Sequence, residues 1–499
     1  MPSSAITRST NGCLTCKNRK KKCDETRPIC TRCRDGDFEC LGYDYLDIPK
    51  GPRKRRKKTS VASEQALSLS SPPTDGSSVA SSFCHLAEGP HHSSITPPIQ
   101  LISMVRTPKE NPLDPDQIIK MSFFYLEQLP PGVQPFQSFP FPIVDAVSLR
   151  VKSSSIRLKS MYIGARITKA RIDGASLSIG VRLIQDFQRQ ITNTTLGPDT
   201  DTATVAAHLD SMIGLALVSM QIVNTPTGHL LLRRSVPLFL ALTAKFQELW
   251  TSDSSISFRH ALAHSQSEIP HFMFLDTVAS LVFGIAPLIH YDVTFYPKVQ
   301  SLQRSHIEWA HGCSPIVVLL LATVNSWRAA RFIDPAHPIP TLGEQQIFKA
   351  YLQEWNPTIG YGDQPAVVMG RLAVQECWKH AVLIYMYMGM CEADSADPRV
   401  ETSVRQVAQL AATIEDSHPL ETHITIPCVI AAAAARREKD RAILRKKIVA
   451  SKDGQVCLIR GADFVLVLDH LWHGVAAGGF PTTWQDYVES RFTVMSVGL

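Results

Sequence analysis

From about residue 115 to the C-terminus, apolar residues return at three- and four-residue intervals, the period of a helix buried along one side. Ser314 and Pro315 open one such stretch, IVVLLLATVNSWRAAR, in which Ile316, Leu319, Leu320, Thr323 and Trp327 share a stripe. Asp397 and Pro398 open another, with Val400, Val404, Val407 and Ile414 as its buried face, and Asp116 is placed to cap QIIKMSFFYLEQL. Further helices are expected near 205–223, 229–250, 277–290, 343–355, 367–391, 429–450 and 463–472. No regular alternation of strand and helix patterns appears, so residues 116–499 are predicted to form a large all-α helical domain, or two smaller ones. The longest uninterrupted apolar runs fall short of a membrane span, and no membrane partner is expected.

Upstream the periodicity stops. Residues 59–112 turn to Ser, Pro and Thr, with Phe83 the one aromatic, and such a stretch cannot bury enough apolar surface to offset the entropy of ordering it. Residues 46–115 are therefore expected to be a disordered linker carrying a basic segment. No three successive heptads with apolar a and d positions occur between Leu46 and Asp116, so pairing through a coiled coil there is not expected.

The chemistry lies ahead of that linker. Cys13, Cys16, Cys23, Cys30, Cys33 and Cys40 follow the spacing C-x2-C-x6-C-x6-C-x2-C-x6-C, in which C-x2-C-x6-C occurs twice. Structural zinc takes four ligands in a tetrahedron, and six sulfurs serve two ions if two of them bridge. A disulfide framework would need a secretory route, yet residues 1–12 carry no apolar leader core. A thiolate metal store would have no use for the cations that follow Cys16.

Those cations make the halves unequal. Lys17, Arg19, Lys20, Lys21 and Lys22 stand between Cys16 and Cys23 without an acid, whereas Arg34 faces Asp35, Asp37 and Glu39 between Cys33 and Cys40. Residues 50–58 add Lys50, Arg53, Lys54, Arg55, Arg56, Lys57 and Lys58, a nuclear-import signal or a phosphate-contacting arm. Residues 1–58 carry a formal +9 and residues 59–499 a formal −3, so the whole-chain +6 conceals one strongly basic end. A polyanion is expected to dock on the first half, with an affinity that falls steeply with salt.

These residues resemble the zinc binuclear cluster family of fungal transcription regulators: all six cysteines fit over 13–40, as do the basic loop, the Cys23-Asp24 pair and Pro28. The resemblance implies two zinc ions bridged by Cys13 and Cys30. It also implies that Arg19 and Lys20 reach bases in the major groove of double-stranded DNA, and a preference for CGG triplets. Lys17, Lys21 and Lys22 are then left mainly for phosphates. EWAHGCSPIVVLLLATVNSWRAA at 308–330 and CWKHAVLIYMYMGM at 377–390 give residues 116–499 a weaker resemblance to the fungal regulatory domain that accompanies such clusters. It implies that this region modulates activity, senses metabolites or forms a homodimer.

No enzyme signature stands in the helical region. His260 and His264 are four apart but lack the glutamate of a metalloprotease, and neither a GxxxxGK[ST] loop nor a GxSxG elbow occurs. Cys84, Cys313, Cys377, Cys391, Cys428 and Cys457 read as scattered reduced thiols, several of them buried. The run RREKDRAILRKK at 436–447 mixes acids with bases and reads as the solvated face of a helix. The architecture expected is a zinc-cluster DNA-binding domain over 1–45, a disordered linker and an all-α domain. The function expected is that of a nuclear, sequence-specific regulator of RNA polymerase II transcription, working with the transcription machinery. A zinc-dependent protein-interaction scaffold that does not read DNA is the alternative.

Overall fold

A computed structural model gives the chain as two compact units, Met1–Ser103 and Met104–Leu499. It describes residues 11–36 except 14, 17, 18, 20, 28 and 29, then 115, 116, 118–120 and 122. It further describes 148–497 except 195, 198, 295–305, 356–364, 417 and 451–457. The linker and the basic segment 50–58 lie outside the described residues.

In the first unit a turn of helix at Thr15–Cys16 and the helix Thr31–Arg34 carry cysteines. The second unit is built from helices, with one two-residue parallel pair in which Ile256 stands beside Tyr291. Its N-terminal part is a hairpin of helices Thr202–Ile222 and Thr225–Arg234, against which Ser155–Ile172 and Ser178–Thr192 pack. The turn follows from local chemistry, because Asn224 caps the second helix by accepting the Thr227 N–H at 2.8 Å. The two helices meet closely enough that a Cβ at Gly228 would stand 2.5 Å from the Ala216 carbonyl oxygen.

The middle of this unit is organised by the helix Glu268–Phe283, buried on every side, which ends at Gly284 in the left-handed conformation that favours glycine. Hydrogen bonds tie it to its neighbours. Asn325, on helix Pro315–Ile333, donates to the Thr277 carbonyl at 2.9 Å and accepts from Tyr385, on helix Pro365–Gly389, at 2.7 Å. Tyr487, on helix Trp484–Val494, donates to the Val282 carbonyl at 2.7 Å. Beyond it Pro365–Gly389 packs along Pro398–Thr413, and Thr425–Ala433, Glu438–Ala450 and Gly461–His473 complete the array.

Helix starts follow the predicted caps where those are local. Ser314 accepts the Ile316 N–H at 3.2 Å and Asp397 the Arg399 N–H at 2.8 Å. On the first of these helices burial goes all round from Val317 to Asn325, so Ile316 and Trp327 are only half-buried and the stripe is too narrow a reading. Asp116 sits within a helical stretch instead of capping it, and its carboxylate pairs with Lys152. The predicted 229–250 helix breaks at Ser235, where Pro237 supplies no amide to continue it. The predicted 277–290 helix begins at Glu268. Thr202–Ile222 and Pro315–Ile333 do have the length and hydropathy of a membrane span, contrary to the reading from uninterrupted runs, with 67% and 44% of the relevant windows buried within the fold.

Three buried thiols, Cys313, Cys377 and Cys428, and the half-buried Cys391 are unpaired, as expected; Cys84 and Cys457 lie outside the described residues. His260 is exposed in the middle of the short helix Phe258–Leu262, while His264 accepts the Gln266 N–H through Nδ1 at 3.1 Å.

Candidate metal centre and nucleic-acid interface

Cys13, Cys16, Cys23, Cys30 and Cys33 come together as a buried sulfur cluster; Cys40 lies outside the described residues. The Sγ atom of Cys13 is 3.6 Å from that of Cys30 and 3.8 Å from that of Cys33. Cys16 Sγ is 3.8 Å from both Cys30 and Cys33. The sulfurs of Cys13, Cys16, Cys23 and Cys30 all lie within 4.8 Å of one another. Disulfide sulfurs would stand about 2.05 Å apart, so none of these pairs is oxidised.

The donor set fits zinc on its own geometry. Four sulfurs about 2.3 Å from a central ion form a tetrahedron whose edges are about 3.8 Å, close to the separations found. Charge points the same way. Burial pushes the Cys30 thiol up to about 11, and burial likewise raises Cys16 and Cys33, so packed sulfurs ionise together only around a cation.

The repeat seen in the spacing is also a repeat of backbone geometry. Cys16 donates its N–H to Cys13 Sγ at 3.4 Å, and Cys33 donates its own to Cys30 Sγ at 3.3 Å. Cys23 Sγ accepts from the N–H groups of Cys13 and Glu25, both at 3.4 Å. Such donors stabilise negative charge on sulfur and orient it for a metal. Glu25, the last of these donors, has a positive φ of 62°.

Two contacts whose partners the sequence did not show tie the halves together. The Asp24 carboxylate accepts the N–H groups of Thr31 at 3.0 Å and Arg32 at 3.2 Å, and a hydroxyl bond from Thr26. These bonds, the Thr26 hydroxyl foremost, hold the Asp24 carboxyl well below the usual carboxylate range. In return Arg32 donates to the Lys22 carbonyl oxygen at 3.3 Å. Asp24 stands seven residues before the helix it caps, outside the spacing of a local N-cap, so no local pattern announces it.

The basic loop leaves the cluster as a helical turn, Arg19 donating to the Thr15 carbonyl at 3.1 Å and Lys21 to that of Cys16 at 2.9 Å. Arg19, Lys21 and Lys22 are exposed beside the sulfurs. Lys17 and Lys20 lie outside the described residues, as do Lys50, Arg53, Lys54, Arg55, Arg56, Lys57 and Lys58.

The second unit holds no comparable donor cluster among the described residues, and its basic run 436–447 is a solvated helix face only in part. Arg441 and Lys447 are buried. Arg441 donates to the carbonyls of Ala435 at 2.9 Å and Ala476 at 2.8 Å, which holds the break between Thr425–Ala433 and Glu438–Ala450 that the alanine run concealed. Arg445 grips Asp469 through two bonds, and Lys446 pairs with Asp416 at 2.6 Å. Arg437, Lys439, Arg445 and Lys446 stay exposed, so one face of the run is solvated while Arg441 and Lys447 turn inward.

Comparison with known proteins places both parts. The fungal Zn(2)-Cys(6) binuclear cluster domain matches residues 11–46, and the fungal specific transcription factor domain matches residues 184–488. Transcription factor lfc1 of Flammulina velutipes is 35% identical over 129 residues, 26% of this chain and 40% of that protein. White-opaque regulator 2 of Candida albicans is 47% identical over 55 residues, 11% of this chain and 12% of that one. The aspercryptin biosynthesis cluster-specific transcription regulator atnN of Emericella nidulans is 53% identical over 45 residues, 9% of this chain and 7% of that one. The chain thus spans less than half the length of each of these curated relatives, and no solved structure matches it. With a zinc-cluster domain at one end and the fungal specific transcription factor domain over more than half its length, the chain belongs to the fungal zinc-cluster transcription factors, a family of regulators and not of enzymes.

Proposed function

We propose that the protein is a nuclear, sequence-specific DNA-binding regulator of transcription by RNA polymerase II. Two zinc ions held by Cys13, Cys16, Cys23, Cys30, Cys33 and Cys40, with Cys13 and Cys30 shared, fold the first unit. Arg19 and Lys20 read a CGG-like half-site, and Lys17, Lys21 and Lys22 hold phosphates. Residues 50–58 serve import, and the helical region carries regulation, contact with the transcription machinery and any homodimer. The observation that carries this reading is a buried sulfur cluster with exposed cations beside it in its first half. Zinc supplies folding energy here, since so few apolar residues cannot make a core unaided.

The test is selection of binding sites from a random duplex pool at near-physiological salt, with zinc-loaded full-length protein and a chelator-treated control. Enrichment of CGG triplets that disappears with the metal is expected, and triplet number and spacing report monomer or dimer. An unenriched pool with zinc verified as bound would overturn direct DNA reading.

A further inference from the structure

Helix Pro315–Ile333 leaves the core over its last turns, and beside it runs an open groove of about 380 Å³. Trp327, Phe332, Met388 and Trp484 form its apolar walls, and Arg328, Arg331 and Glu392 its polar ones. Two features are unusual for a solvent-facing surface. Phe332 and Ile333 are 90% and 85% exposed at the end of an apolar helix, which leaves adjacent aromatic and aliphatic side chains in water. Arg328, in the groove wall, has no hydrogen bond or ion pair among the described residues, whereas Arg331 pairs with Glu392, donates to the His337 carbonyl at 2.7 Å and lies over the Trp327 ring. The indole N–H of buried Trp484 also lacks an acceptor among the described residues.

We propose that this groove docks a short acidic protein segment bearing aromatic or aliphatic side chains. Its carboxylate pairs with Arg328, and its apolar side chain sits between Phe332, Met388 and Trp484. Charge selects the occupant: the single acid of the groove is already taken by Arg331, so covering Arg328 without supplying an anion would strand a guanidinium. A second copy of the chain is disfavoured for that reason, because a two-fold contact would bring this cationic patch against itself. A small molecule held in the groove would leave Phe332 and Ile333 at the rim in water.

The experiment is fluorescence anisotropy with full-length protein and a short labelled peptide of Asp, Phe and Leu, against the same peptide with Asn for Asp. The acidic peptide should bind about tenfold more tightly than its amide counterpart. Arg328→Glu and Phe332→Ser should each weaken it about tenfold, Arg328→Lys should retain part of the affinity, and Arg234→Glu on a distant helix should change nothing. Phe332 is exposed and Arg328 half-buried, and unchanged thermal midpoints verify folding. Equal binding of the two peptides, indifference to both groove substitutions, or no binding up to about 1 mM peptide would overturn the proposal. So would self-association in the ultracentrifuge that Phe332→Ser abolishes, since the occupant would then be a second copy.

Discussion

Asp24 caps a helix that belongs to the other half of the cluster: its carboxylate accepts the Thr31 N–H at 3.0 Å across six intervening residues that include no cysteine but Cys30. Asp24→Ala removes this tie while leaving every cysteine in place. Zinc should then be lost to a competing chromogenic chelator at severalfold lower chelator concentration, with Asp24→Asn intermediate because an amide oxygen still accepts. Unchanged zinc retention in Asp24→Ala would mean that the sulfurs alone set the geometry.

The exposed cations should divide by role. If Lys22 holds a phosphate as proposed, Lys22→Ala should lower affinity by a similar factor on cognate and scrambled duplexes, and the slope of log K against log salt should become shallower by about 0.9. Arg19→Ala should instead narrow the gap between cognate and scrambled sites, by roughly 1–3 kcal/mol for one lost base contact. Titrations at several salt concentrations on both duplexes separate the two; a uniform loss for Arg19→Ala would reassign it to the backbone.

Lys447 and Glu421 meet in the interior at 2.9 Å, their side chains 4% and 1% exposed, with Asp416 and the Ile414 carbonyl as further acceptors. Burial works against the lysine charge, but its bonds to Asp416 and Glu421 prevail and raise its pKa. The stabilisation is complete below the ordinary lysine pKa and is lost only as pH climbs past the raised value. Lys447→Ala should destabilise the helical unit by about 3 kcal/mol, since it removes the cation paired with a buried carboxylate, and urea unfolding measures it. A loss no larger than that of a surface substitution would contradict the burial.

Asp276 gives a pH dependence of the same sense in a lower pH window. Burial pushes its carboxyl up to about 7, against the bonds it accepts from the Leu288 N–H and the Tyr291 hydroxyl. Between about pH 4 and pH 7 the unfolded chain has released this proton and the folded chain still holds it, so stability should decline as pH rises, by up to about 1.4 kcal/mol per unit. Asp276→Asn should flatten that slope in unfolding curves taken at pH 5, 6 and 7. Parallel slopes for the two proteins would show that the carboxylate stays ionised.

Legibility followed the range of the interactions. Ser314 and Asp397 were readable as helix starts because a cap and its amide stand two or three residues apart. Thr483 and Asp486 form a capping box of the same kind for Trp484–Val494, a helix that the apolar pattern alone passed over. The break after Ala433 was not readable. A run of five alanines favours helix continuation, and what holds the break is the guanidinium of Arg441, with Ala476 as its other acceptor.

By itself the sequence determined the cysteine spacing, the one-sided charge around it and the helical period of the long C-terminal region, since ligand number, net charge and periodicity are properties of neighbours along a chain. Only the tertiary structure decided that Asp24 joins the two halves, that Lys447 is buried, and that Arg328 and Phe332 remain at the surface. Each of those outcomes depends on which groups from distant positions reach the same place, and a polar side chain's fate turns on whether a partner offsets its loss of water.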